Sequence, residues 1–142
     1  MTRVEFFFNV NDKLAKAAEL TEKAVSRGRQ LLILVPDEAS AAALDHKLWV
    51  DSPLGFLPHC RSSHPMAAHT PVLIDHTPVA MPHHDVLINL QPAQPTFFSR
   101  FTRLIEIVGL DEDDKVQARA RYRFYRDRGY ELRSFDVSGA AL

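Results

Sequence analysis

Only one of the 142 residues is cysteine, Cys60, so the chain forms no internal disulfide and fits a reducing cytoplasm. Glycine is nearly as scarce, with five residues at 28, 55, 109, 129 and 139. None of them builds GxGxxG or GxxxxGK[ST], the loops that bring backbone amides onto a phosphate. The turns where such a loop would stand are Asn9-Val10-Asn11-Asp12 and Val35-Pro36-Asp37-Glu38, and both carry acids that repel phosphate. No apolar run approaches the roughly 20 residues needed to span a bilayer, and MTRVEFFFNV has Glu5 where a signal peptide would keep an apolar stretch. Strong charge of one sign is missing too. The net charge of −1 makes the whole molecule a poor electrostatic partner for nucleic acid, so anion binding has to come from a local patch.

What is there is a rhythm of elements. RVEFFFNV at 3–10 is β-prone. Asn11 or Asp12 can cap a helix running to about Arg27, and Gly28 ends it. QLLILV at 30–35 is a continuous apolar run, the mark of a strand buried on both faces. Asp37 then opens a helix over about 38–49. This β-α-β-α order predicts a single α/β domain over 1–142: three layers around a mostly parallel sheet, of mononucleotide-binding-like topology without a phosphate loop. Residues 51–84 are rich in proline and histidine and read as loops around one short strand at Val72-Leu73-Ile74. DVLINL at 85–90 reads as a strand, 96–108 as a helix given bulk by Phe97, Phe98, Phe101, Leu104 and Ile105, and YELRSFDV at 130–137 as a last strand.

Six of the seven histidines lie between 59 and 84, near Cys60, but their intervals do not pair as zinc ligands do, and no metal or other cofactor is expected. Asp37, Glu38, Asp75 and Asp85 lie near strand ends, where a metal-dependent nuclease would gather its acids. Capping and turn formation account for Asp37 and Asp85 without metal. No catalytic residues are assigned.

The strongest signal is DEDDKVQARARYRFYRDR at 111–128. Acids at the start and bases along the body suit a helix dipole, with Asp111 as cap and Asp114 in support. At about 100° per residue, Lys115, Arg119, Tyr122, Arg123 and Arg126 share one arc, a cationic strip with a ring set in it. Val116, Ala120 and Phe124 fall on a separate arc and read as the buried stripe. The strip suits an acidic, partly apolar peptide or a nucleic-acid strand, and a solvated helix face would carry similar charges. Trp49, Phe56 and Leu57 bracket a proline-containing loop, either as core or as a partner surface.

The order and spacing of FFFNV, RGRQLLILVPDEASAAALDHKLW, FLPH at 56–59, DVLINL and RARYRFYRDRGYEL resemble the chi subunit family of bacterial DNA polymerase III over most of the chain. The stretch 61–84 adds nothing to the likeness. The resemblance implies an α/β domain without a catalytic role, part of a DNA-directed DNA polymerase holoenzyme. It implies binding of the acidic, phenylalanine-ended C-terminal tail of single-stranded DNA-binding protein at Val108, Arg119, Tyr122 and Arg123, with Lys115 and Arg126 peripheral. Where Arg123 stands, the family also has lysine, which keeps the charge and changes the hydrogen-bond geometry. It further implies a psi-subunit interface at Trp49, Phe56, Leu57 and Pro58, in a one-to-one heterodimer that leads to the clamp loader. DNA contact is then mostly indirect, there is no membrane contact, and the protein works in the cytoplasm at the replisome. The alternatives are a direct single-stranded nucleic-acid-binding module on the same helix and, further off, a metal-dependent nuclease.

Overall fold

In the computed structural model, residues 1–50 and 57–138 are described. One open sheet of seven parallel strands has the order β3-β4-β2-β5-β6-β1-β7. Its strands are β1 (Arg3–Val10), β2 (Leu31–Leu34), β3 (His59–Arg61), β4 (Val72–Asp75), β5 (Val86–Asn89), β6 (Arg103–Gly109) and β7 (Glu131–Asp136). The helices are α1 (Lys13–Ser26), α2 (Glu38–Val50) and α3 (Glu112–Asp127). The expected α/β class and parallel pairing are therefore present.

Alternation along the strands divides the core into two layers. Leu31, Ile33, Val72, Ile74, Ile88, Ile105 and Ile107 pack with residues of α1 and α2 on one face. Val4, Phe6, Leu32, Leu34, Leu73, Leu104 and Val108 pack with α3 on the other. Strands buried on both faces must be apolar at every step, which is why QLLILV and DVLINL carry no alternation. Local chemistry ends α1 as expected: Asp12 accepts from the Ala15 amide at 3.1 Å, and Gly28 takes φ 74° just past the last turn.

Three expectations fail. Residues 96–108 are not a helix: a short 3₁₀ turn at Phe98–Arg100 leads into β6, which lies between β5 and β1. The bulky phenylalanines mislead there, because Phe98 and Phe101 pack under α3 as a loop while Leu104-Ile105 and Ile107-Val108 feed both core layers. Val108 thus stands on a strand rather than at a helix end. The stretch 51–84 holds a second strand, β3, which pairs with β4 from His59↔Val72 to Arg61↔Ile74. Three residues at a sheet edge are too few to give a period. Finally, the buried stripe of α3 is Ala118, Arg121 and Tyr125; Val116 is exposed, Ala120 is exposed and Phe124 is half-buried.

The buried arginine explains the last failure. Glu106, fully buried on β6, accepts from Arg121 Nε at 3.0 Å, from the Tyr125 hydroxyl at 2.6 Å and from Asn89 Nδ2 at 3.0 and 3.1 Å. Burial pushes the Glu106 carboxyl above its ordinary range, and Arg121, Tyr125 and Asn89 oppose that. Every one of these contacts is a donor to the carboxyl, the pattern an ionised carboxylate satisfies. Arg121 Nη1 also donates to the Pro92 carbonyl at 2.7 Å. A hydrophobic count cannot find a helix face that is held by a charge.

A second polar tie closes the β3–β4 end. Asp75, at the end of β4, accepts from the Ser62 hydroxyl and amide and from the His76 and Thr77 amides. Burial raises its carboxyl, but the Ser62 hydroxyl, the two amides and Arg61 outweigh that and hold it below the ordinary carboxylate range. A depressed folded value means that the stabilisation is present above the unfolded value of 3.8 and is lost as pH falls through the folded one. Asp75→Asn is expected to lower stability by about 1–2 kcal/mol at neutral pH. It should also flatten the loss of stability below pH ~4, read as urea midpoints across a pH series.

Candidate functional site, a cleft beside the basic helix

The strands β1 and β6 are neighbours, and the chain leaves them towards opposite faces, through α1 and α3. In an open parallel sheet, the crevice at such a reversal is where nucleotides bind. Here it is lined by Asp12, Asp111, Asp113 and Asp114. Lys13 Nζ lies 3.1 Å from Asp114, which also accepts from the Gly109 amide at 2.7 Å. Asp111 holds the cap position of α3 without the expected side-chain cap bond, and Asp114 ties back to Gly109 on β6 rather than to the cap residue. Four carboxylates at two helix starts oppose a phosphate there, as the absent glycine loops suggest. Among the described residues, no group of three or more His, Cys, Asp or Glu could hold a metal ion.

A different cleft opens beside α3. Phe6 and Phe8 of β1 and Val108 of β6 form its floor; Lys115, Ala118, Arg119 and Tyr122 of α3 form one wall; Asn9 and Ser134 stand at the rim. Its volume is about 330 Å³. The period-two phases of FFFNV and of β6 put Phe6, Phe8 and Val108 on the α3 side of the sheet. The Glu106–Arg121 pair fixes the rotation of α3, and that rotation turns Arg119 and Tyr122 to the cleft. Tyr122 is half-buried, its ring 5.4 Å from that of Phe6. Arg119 is 64% exposed and meets Glu112 only at 3.6 Å, a screened surface contact that leaves the guanidinium available.

Val108, Lys115, Arg119 and Tyr122 therefore meet in one cleft. Arg123 adjoins it, in a neighbouring depression shared with Arg119 and Tyr122. Arg126 is further along the helix, 3.4 Å from Asp127. Sequence reasoning missed Phe6, Phe8, Asn9 and Ser134, although the i, i+2 phenylalanines of FFFNV carried a signal for the first two. The chemistry on offer is an apolar seat with cations on one side.

At the far end of α2, Trp49 is 52% exposed. The His59 ring supports it edge-on at 5.0 Å, and His59 Nδ1 lies 2.6 Å from the Leu57 carbonyl. Leu57 is only 3% exposed and belongs to the core, so as a surface contact it is corrected; Pro58 is partly exposed. Phe56 lies outside the described residues.

Fold and cleft together define an open-sheet α/β protein with acids in the crevice between β1 and β6 and an apolar cleft, edged by two cations, beside α3. The chain belongs to the DNA polymerase III chi subunit family: a family model described as "DNA polymerase III chi subunit, HolC" matches residues 1–133. It is 35% identical over 136 residues to the DNA polymerase III subunit chi of Pseudomonas aeruginosa, covering 93% of this chain and 94% of the relative. It is 34% identical over 122 residues to that of Haemophilus influenzae, covering 85% of each. To that of Escherichia coli it is 28% identical over 146 residues, covering 93% of this chain and 96% of the relative. The family places the chain among the accessory subunits of the replicative polymerase, where it has protein partners. No helix among the described residues is long and apolar enough to cross a membrane.

Proposed function

We propose that this chain is a non-catalytic adaptor that binds the acidic C-terminal tail of single-stranded DNA-binding protein and links it, through the psi subunit, to the clamp loader. The observation that carries the reading is the cleft, in which Phe6, Phe8, Val108 and Tyr122 make an apolar seat beside Lys115 and Arg119. The terminal phenylalanine ring of the tail enters the seat. Arg119 or Arg123 pairs with its carboxylate, and Lys115 and Arg126 draw in the aspartates upstream. Much of the attraction is exposed charge, so binding is salt-sensitive. On the other side of the molecule, Trp49 is an exposed ring held in place by His59, the kind of anchor that dominates a protein interface, and it serves the psi subunit with Pro58.

The test is a calorimetric titration with a peptide copying the tail, and with the same peptide lacking its last residue. The intact peptide is expected to bind at low salt, and the shortened one at least tenfold more weakly. Failure of the intact peptide to bind would sink the reading. Binding of single-stranded DNA at this cleft, without peptide binding, would replace it with a nucleic-acid module.

A further inference from the structure

The basic helix is not the only cationic surface. At the opposite rim of the sheet, where the strands begin, a second cleft of about 470 Å³ lies between the end of α1 and the starts of β1 and β6. Five cations line it: Arg3, Lys23, Arg27, Arg29 and Arg103. Arg3 and Arg103 are register partners on neighbouring strands, so their Cα atoms stand about 5 Å apart. Both pair with a single acid, Glu5, only 4% exposed, which leaves one of their two charges unbalanced. Arg27 and Arg29 are exposed and have no ion pair among the described residues. Against these stand Asp85, whose carboxylate accepts from the Gln30 amide at 2.9 Å, and Glu131, which pairs with Arg133 at 3.1 Å. The helix dipole accounts for bases such as Lys23 and Arg27 at the end of α1. It does not account for Arg3 and Arg103, which stand on strands, nor for Arg29 beyond the turn.

The lining also says what the ligand is not. Among the described residues no aromatic ring lines this cleft; Leu20, Ala24 and Val86 are buried beneath the cations, and Met1, at the chain start, is its one exposed apolar side chain. One fully exposed methionine makes no apolar seat for a peptide anchor, and a base has no ring to stack on. A chain of repeated anionic groups without an apolar anchor fits. We infer that this cleft binds the phosphodiester backbone of single-stranded nucleic acid, independently of sequence. A flexible single strand can bend its phosphates into a concave site, whereas a duplex, stiff over about 50 nm, cannot follow it. The cleft does not depend on the tail cleft. Arg3 and Phe8 stand five residues apart on β1, about 17 Å along the strand.

The experiment is fluorescence anisotropy of labelled oligo(dT) against the full chain at about 20 mM salt, with oligo(dA) and a duplex of equal length alongside. Oligo(dT) and oligo(dA) should bind within twofold of one another, and the duplex more weakly. With about two phosphates neutralised, the log–log salt slope should be about −1.4. The double variant Arg27→Glu/Arg29→Glu should lose at least tenfold in oligo(dT) affinity and keep its affinity for the acidic tail peptide. Arg119→Glu should leave oligo(dT) binding unchanged. Circular dichroism checks the fold, and the milder Arg27→Gln/Arg29→Gln should lose affinity in the same direction. Absence of oligo(dT) binding, an unchanged affinity in both double variants, loss on Arg119→Glu, tighter duplex binding, or displacement of oligo(dT) from the wild-type cleft by poly-aspartate at equal concentration would each overturn the inference.

Discussion

Arg121→Ala lowers the stability of the fold by about 3–5 kcal/mol, read as a shift of the urea midpoint at constant slope. The size follows from what is left behind. Glu106 is fully buried on β6, and without the guanidinium its charge is balanced by neutral donors alone, Tyr125 and Asn89. The Pro92 carbonyl loses its donor as well. Truncating one partner of a buried pair costs far more than the pair contributes, because the other is stranded. In a double-mutant cycle with Glu106→Gln, the second change should be much less harmful in the Arg121→Ala background than alone. If the effects are additive, the two side chains do not act as a pair. Weaker tail binding is expected in Arg121→Ala even where the protein remains folded, since the rotation of α3 is no longer fixed.

Tyr122→Ala and Arg119→Ala weaken tail-peptide binding about ten- to a hundredfold each, by the scale of anchor residues at interfaces. The two should differ in their side effects. Arg119 is 64% exposed, so its loss leaves the urea midpoint where it was and reduces the salt dependence of binding. Tyr122 is half-buried against Phe6, so its truncation also destabilises the fold by about 1–2 kcal/mol. Tyr122→Phe keeps the ring and should retain most of both properties. Calorimetric titration and urea denaturation on the same preparations separate the two effects. Unaltered peptide affinity in Arg119→Ala and Tyr122→Ala would move the tail site elsewhere.

The sequence carried the parts of the fold that rest on pattern. A continuous apolar run such as LLIL has one use in a chain that alternates strands with helices, and the caps at Asp12 and Gly28 are local chemistry. It was silent where tertiary context decides. The run from Phe97 to Val108 holds bulk at both helical and strand spacings, and only its position between β5 and β1 makes it a strand. Arg121 looks like one more surface base until a buried glutamate is known to face it. The site was legible in half. Arg119, Tyr122 and Arg123 share an arc that helical geometry alone defines, whereas most of the floor under them comes from β1, more than a hundred residues away. The resemblance to the chi family supplied Val108, which no spacing could have tied to the helix.

One detail of β1 sets the size of the cleft mouth. Its pairing with β6 runs in step from Arg3↔Arg103 to Phe7↔Ile107, then resumes at Val10↔Gly109, so β1 carries one residue more than its partner across this gap. Asn9 absorbs the surplus at φ 60°, a left-handed conformation that asparagine tolerates better than most residues, and its amide donates to Asp136 at 3.2 Å. Phe8 and Asn9 together therefore stand opposite Val108 alone. The opening is made by chain length as much as by side-chain identity. A relative that kept every cleft residue but dropped this one position would bring β1 back into step with β6, lose the rim, and close the doorway on an otherwise unchanged set of contacts.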